Sequence, residues 1–287
     1  MKLIIQPGDG LAPVVRAIHN AKKTLDIVIF RFDQPAVENA LAEAVERGVA
    51  VRALIAHTNK GGEKTLRKLE LRLLEAGATV ARTADDLARY HGKMMVIDGA
   101  ALHVYGFNYT KLDIEHSRSF GIVTRDRRVV QEAMKLFEAD AMRQNYTPAH
   151  RRLVVSPENS RALLTAFIKG ARRELLIYDA QVSDNAIQKV LAERADAGVK
   201  IRIIGRLEKE NREIKVRKLG TLRLHVRAII RDGNAAFIGS QSLRKLELEG
   251  RREVGIIIRN GAVVRKLQSV FGSDWEKSRK KAVAKAS

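Results

Sequence analysis

Two histidines in this chain occupy the same local pattern. The first lies in His91-Gly92-Lys93-Met94-Met95-Val96-Ile97-Asp98, and the second, 134 residues later, in His225-Val226-Arg227-Ala228-Ile229-Ile230-Arg231-Asp232. Both fit His-x-basic-x4-Asp. Asn108 follows Asp98 by ten residues, and Ser242 follows Asp232 by ten. An imidazole titrates near neutrality and can both give and take a proton. On a strand, alternate residues face the same way, so each pattern sets a proton-handling group beside a cation. Two such pairs can converge on one phosphate if two halves of the chain pack about a pseudo-twofold axis.

The sequence supplies those halves. Leu3-Ile4-Ile5-Gln6-Pro7 matches Leu153-Val154-Val155-Ser156-Pro157 at an offset of 150, and Gly48-Val49-Ala50-Val51-Arg52 matches Gly198-Val199-Lys200-Ile201-Arg202. Beyond this point the second copy is 16 residues shorter, and the motifs, Phe137/Phe271 and Asp140/Asp274 keep an offset of 134. The deletion falls between Arg52 and His91, in a polar stretch where loop length is cheap to change. These are domain-sized repeats, expected at residues 1–149 and 150–287. Each reads as strand, helix, strand, helix, strand, strand, helix. Asp26 to Phe30, Val49 to Ile55 and Met94 to Ile97 are apolar runs of strand length. Ala36 to Glu46 and Ile187 to Ala197 carry helical spacing. The expected class is α/β, with two similar α/β/α sandwich halves, largely parallel sheets, and the site at the interface.

Composition bounds the chemistry. The 287 residues include no cysteine, which excludes disulfides, thiolate metal sites and cysteine catalysis. That composition fits a reducing cytoplasm. The amino-terminal apolar run is too short for a signal peptide, and no apolar stretch approaches the ~20 residues that span a bilayer. A formal charge of +20 selects anionic partners: phospholipid surfaces, with peripheral membrane contact, nucleic acid or polyphosphate. The alternative is plain solubility, and the basic stretch Lys277-Ser278-Arg279-Lys280-Lys281 reads as a helix end. Aromatics at 5% give little support for a base-stacking platform.

The paired motifs resemble the phospholipase D superfamily, whose signature is His-x-Lys-x4-Asp followed by Gly-Ser-x-Asn. Ser156-Pro157-Glu158-Asn159-Ser160-Arg161 resembles the opening of the second half in its cardiolipin-synthase-like branch. The likeness spans nearly all of residues 2 to 276. It implies phosphodiester cleavage without a metal or other cofactor. One neutral imidazole attacks phosphorus to give a phosphohistidine, and the other protonates the leaving alkoxide and then activates water or alcohol. By resemblance His91 is the nucleophile and His225 the general acid and base. Lys93 and Arg227 grip the phosphate, and Asn108 and Ser242 donate hydrogen bonds to it. The family places a Glu or Gln eleven residues after the Asn position, where it orients the opposite histidine. Here that position holds Glu253 in the second copy and Ser119 in the first. Glu253 would hold Nδ1 of His91, leaving Ser119 or a substitute behind His225. Asp98 and Asp232 brace the motif loops, and Asp98-Gly99 and Asp232-Gly233 read as hairpin turns. Both half-sites lie in one chain, which implies a monomer built as a pseudo-dimer.

Departures from the pattern fall mainly in the second motif, with Arg227 for Lys and Ser242 for Asn. Arginine binds phosphate as a planar fork, so the change is not neutral. Gly106 removes a hydroxyl from the first copy, whereas Gly239-Ser240 keep the usual pair. Read alone, either histidine would be a core or surface residue, but the register of the repeat argues otherwise. Glu253, within Arg251-Arg252-Glu253, could also be a surface ion-pair partner. His103, His116 and His150 have no place in it. Three functions compete: phospholipid head-group hydrolysis or exchange, nucleic-acid cleavage by the same chemistry, and a non-catalytic phosphate-binding module.

Overall fold

The computed structural model describes residues 1–58 and 63–283. The first half contains β1 (Lys2–Gln6), α1 (Ala12–His19), β2 (Thr24–Ile29), α2 (Pro35–Glu46), β3 (Ala50–Ile55), α3 (Glu63–Glu75), β4 (Thr79–Arg82), β5 (Arg89–Tyr90), β6 (Met94–Ile97), β7 (Ala101–Tyr105), α4 (Lys111–Glu115), β8 (Ser117–Thr124) and α5 (Arg127–Ala141). The second half repeats the order as β9 (Leu153–Ser156), α6 (Ser160–Lys169), β10 (Glu174–Val182), α7 (Asn185–Asp196), β11 (Lys200–Leu207), β12 (Ile214–Arg217), β13 (Arg223–Leu224), β14 (Arg227–Arg231), β15 (Ala235–Gly239), α8 (Lys245–Glu249), β16 (Arg251–Ile258) and α9 (Gly261–Val283). Among the described elements α3 alone lacks a counterpart. The shorter second copy has therefore lost a packed helix, where loop trimming was expected. The basic stretch from Lys277 continues α9, and its side chains from Arg279 onward lie outside the described residues.

Each half builds one mixed eight-stranded sheet. The orders are β1-β8-β7-β6-β2-β3-β4 with β13 added on β8, and β12-β11-β10-β14-β15-β16-β5 with β9 added on β16. Strands β2, β3 and β4 are parallel, whereas β2-β6, β6-β7, β7-β8 and β8-β1 are antiparallel. The expectation of largely parallel sheets is corrected here. Parallel neighbours need a crossover of a dozen or more residues, and β6 and β7 are joined by the tight Asp98-Gly99 turn. Asp98 (φ 53°) and Gly99 (φ 57°) are both left-handed, as are Asp232 (φ 53°) and Gly233 (φ 68°), the geometry that matches the twist of a hairpin.

Three cores hold these layers together. Leu25, Ile27 and Ile29 of β2 pack beneath Val14, Ile18 and Leu41 of the outer helices. Leu175, Ile177 and Leu191 do the same in the second half. Between the sheets lies a shared core in which α5 (Val129, Leu136, Phe137) and α9 (Val264, Phe271, Trp275) meet strand residues from both halves, such as Val96, Val104, Ala228 and Ile256. Phe271 sits between Tyr178 (5.0 Å, edge-on) and Trp275 (5.8 Å, stacked). Truncating a buried ring of this kind to alanine costs about 3–5 kcal/mol.

The halves also exchange strands. Two-residue β5, from the first half, runs parallel to Arg251 and Arg252 of β16, while β13, from the second half, runs parallel to Ser117 and Arg118 of β8. The relation is reciprocal, as a twofold requires. Each of these short strands ends one residue before a motif histidine.

Candidate active site

The exchange decides how the motifs are displayed. His91 and Lys93 were expected on one strand. Instead the chain crosses between sheets within His91-Gly92-Lys93. The His91 amide donates to Arg252 O across the interface at 2.7 Å, and Lys93 O accepts from Tyr105 of its own half at 2.9 Å. His225 repeats this, its amide donating to Arg118 O at 3.2 Å before Arg227 pairs with Gly239. The motif histidine is thus carried to the acidic groups of the opposite half.

His91 Nδ1 lies 2.8 Å from Glu253 Oε2, the residue expected behind it. Glu253 is fully buried, and burial raises its pKa. Burial lowers the His91 pKa well below the ordinary value, and Lys93 and Arg227 lower it further. A neutral ring held through Nδ1 by a carboxylate keeps Nε2 as a lone-pair donor. Phe30 packs edge-on to the ring at 4.5 Å and lies 5.2 Å beneath the Lys93 ammonium. Lys93 is fully buried, donates to His91 O at 2.5 Å, and has its pKa driven down to about 7 by burial.

Behind His225 stands a residue the sequence did not reveal. Asp113 Oδ2 lies 3.3 Å from His225 Nδ1, close enough for charge attraction but not aligned as a hydrogen bond. Asp113 comes from α4, five residues after Asn108. It also accepts the Asn108 amide at 2.8 Å, Asn108 Nδ2 at 2.6 Å and Arg223 Nη1 at 2.6 Å. Burial opposes its charge, but His225, Asn108 and Arg223 outweigh that and lower its pKa. Burial depresses the His225 pKa strongly, and Arg227 adds to the effect. Ser119, in the register position, is buried with no hydrogen-bond partner among the described residues. One signal was available: Glu247, the repeat mate of Asp113, is also acidic and buried.

The expected phosphate donors are not equally free. Asn108 spends one amide hydrogen on Asp113 and keeps another. Ser242 donates its only proton to the buried Asp179, which also accepts from Leu243 N at 2.7 Å. Asp179 occupies the repeat position of Ile29 and feels the positive charge of Arg227. The second half thus carries an acid beside the two residues that depart from the motif. Ser240 is buried, and its hydroxyl accepts from Val254 N at 3.1 Å and acts on Glu253. Gly106 is explained by space, because a Cβ there would lie 3.1 Å from Ser119 Oγ and 3.2 Å from Gly239 O of the other half.

Asp98 and Asp232 stand at the far ends of β6 and β14. Asp98 accepts the amides of Lys22, Lys23 and Thr24, and Asp232 those of Arg172, Arg173 and Glu174. Both carboxylates are tied to backbone, away from the histidines.

Residues 14–141 match the family model described as cardiolipin synthase, PLD-like domain. That stretch of the chain is similar to a phospholipase D-like domain. The mitochondrial cardiolipin hydrolase of Mus musculus is 25% identical over 129 residues, 45% of this chain and 57% of that protein. The Homo sapiens protein of the same name is 26% identical over 129 residues, 45% of this chain and 50% of its own length. The chain therefore spans about half the length of the curated relatives it matches. Two solved structures share its fold. A polyphosphate kinase from Porphyromonas gingivalis aligns with a TM-score of 0.79 at 18% identity, over 96% of this chain and 50% of that one. A phosphatidylserine synthase from Haemophilus influenzae Rd KW20 aligns with a TM-score of 0.72 at 9% identity, over 96% and 86%. No helix among the described residues is long and apolar enough to cross a membrane.

Proposed function

We propose that this phospholipase D-like chain hydrolyses or exchanges phospholipid head groups through a covalent phosphohistidine. The observation that carries this reading is the pair of nearly buried histidines, each facing a carboxylate from the opposite half, with Lys93 and Arg227 acting on both rings. His91 Nε2 attacks phosphorus while Glu253 holds the Nδ1 proton and stabilises the imidazolium that forms. His225 gives a proton to the leaving head-group alkoxide, then takes one from the incoming water or alcohol. An anionic phosphodiester between Lys93 and Arg227 offsets their charge and lets His225 hold the proton it must deliver. The cations and the remaining Asn108 hydrogen face the charge that builds on the phosphoryl oxygens. The similarity to cardiolipin hydrolases and the fold shared with a phosphatidylserine synthase support phospholipid as the substrate class.

The test is incubation of wild-type protein and His91→Ala with phospholipid vesicles in EDTA and ethanol. Head-group release and phosphatidylethanol are expected from wild type alone. Product from both proteins would exclude His91 as the nucleophile. The net charge of +20 favours a second reading, cleavage of nucleic-acid phosphodiesters by the same residues. Strand cleavage whose binding falls steeply with salt, without head-group release, would select it.

A further inference from the structure

A recess of about 300 Å³ opens in the first half at the far end of β6 from Lys93. Its walls come from α1, β1, the β6-β7 turn and the end of β8. Three cations reach it from three separate elements: Lys2 from β1, Arg16 from α1 and Arg125 after β8. Among the described residues none of the three has a carboxylate within ion-pair distance. Asp98 borders the recess, but its oxygens are tied to the amides of Lys22, Lys23 and Thr24. On the lining, His103 is only 6% exposed, and its Nδ1 lies 3.0 Å from the Tyr105 hydroxyl. Burial, with Arg125 and Lys2 nearby, pushes His103 down to about 4, so it is a neutral polar group at physiological pH.

The other half shows what a closed version looks like. Arg231 stands where the first half has Ile97, and its guanidinium packs 4.6 Å from the Phe167 ring and donates to Phe167 O at 3.1 Å. Phe237 replaces His103, Ala166 replaces Arg16, and Arg152, the mate of Lys2, is paired with Asp126 at 2.5 Å. The second half thus plugs this position with its own cation and neutralises another. The first half leaves three cations around an open, partly apolar recess.

We propose that this recess binds a small phosphate-bearing anion, at a site separate from the catalytic cleft. Three cations from three directions suit a tetrahedral dianion, whereas a carboxylate would be satisfied by one planar arginine fork. The recess is at the small end of the volumes that hold ligands, which suits a phosphomonoester or free phosphate.

The test uses side-chain ¹H–¹⁵N spectra of the histidines in the full chain. The protein is titrated with inorganic phosphate, then glycerol 1-phosphate, then vesicles containing anionic lipid. His103→Phe, which copies the other half, assigns the reporter. The His103 signal is expected to move. Arg16→Ala and Arg125→Ala should each weaken the response about tenfold or more, the worth of a charge-assisted hydrogen bond. Ile97→Arg, which installs the plug, should abolish it while His91 and His225 still respond. A response to soluble phosphate identifies a free phosphate ligand, and a response confined to vesicles identifies a lipid head group. Movement of His91 and His225 alone would overturn the proposal, as would an unchanged His103 response in the Arg16→Ala, Arg125→Ala double variant.

Discussion

The two half-sites solve the same problem with different strength. Around His91 the backing acid is Glu253, fully buried and aligned on Nδ1 at 2.8 Å. Around His225 the acid is Asp113, which sits 3.3 Å away and divides its charge among Asn108, Arg223 and the ring. The cations differ in the same sense. Lys93 is buried, which drives its pKa down to about 7, whereas Arg227 has the buried Asp179 at hand. A histidine that must attack needs a fixed tautomer, and one that must exchange protons tolerates a looser partner. The inequality therefore favours His91 as nucleophile and His225 as proton shuttle.

That comparison can be broken most severely at the histidines. His91→Ala and His225→Ala should each lower turnover by about 10⁴-fold or more, because residues acting as a unit fail together. They should still differ: a phosphoenzyme, trapped by alkaline denaturing quench because the P–N bond is acid-labile, is expected only in His225→Ala. A phosphoenzyme in His91→Ala instead would reverse the assignment.

The backing acids come next. Glu253→Gln should cost about 10³–10⁴-fold in kcat, the scale seen when a histidine loses its tautomer partner. Asp113→Asn should cost about 10–10²-fold, within the range of an assisting proton transfer. Equal losses would show that the two acids serve alike.

The cations sharpen the contrast through pH. A lysine with a depressed pKa is charged below that value and loses its grip on phosphate as pH rises through it. Wild-type kcat/KM should therefore fall above about pH 7. Lys93→Arg, which stays charged, should remove that limb at some cost in rate. A limb that persists in this variant would assign it to another group.

The smallest effects concern the residues that depart from the motif. Gly106→Ser should lower stability by about 1–3 kcal/mol, because the added atoms press on the opposite half, and a shift in thermal midpoint would measure it. Ser242→Ala should change kcat by less than about tenfold, since its proton is already given to Asp179. A loss nearer the 10²–10³-fold cost of a transition-state donor would place that hydroxyl on the substrate.

Much of this was written in the chain. The duplication, the α/β class and the paired motifs were legible because repeat register is a linear property and hydrophobic periodicity reports local structure, whereas Glu253 was reached only through the family resemblance. The runs at Met94–Ile97 and Ala36–Glu46 became β6 and most of α2 for that reason. The lost helix α3 was not legible, since a gap in register does not say what filled it. The mixed sheet was legible only in part: the Asp98-Gly99 and Asp232-Gly233 turns marked antiparallel hairpins, but nothing marked β2 pairing antiparallel with β6, and the two-residue strands β5 and β13 carry almost no pattern of their own.

Asp113 shows most clearly where sequence stopped. Its spacing from His225 has no meaning along the chain, and it acquires its role only when β13 crosses to β8 and lays His225 beside α4. The reciprocal crossing of β5 to β16 brings His91 to Glu253. The sequence determined which groups could do chemistry and that they came in two sets. The tertiary structure decided which acid faces which histidine, which donor is already spent, and which recess stays open, because each depends on what the opposite half or a neighbouring element places within hydrogen-bond reach.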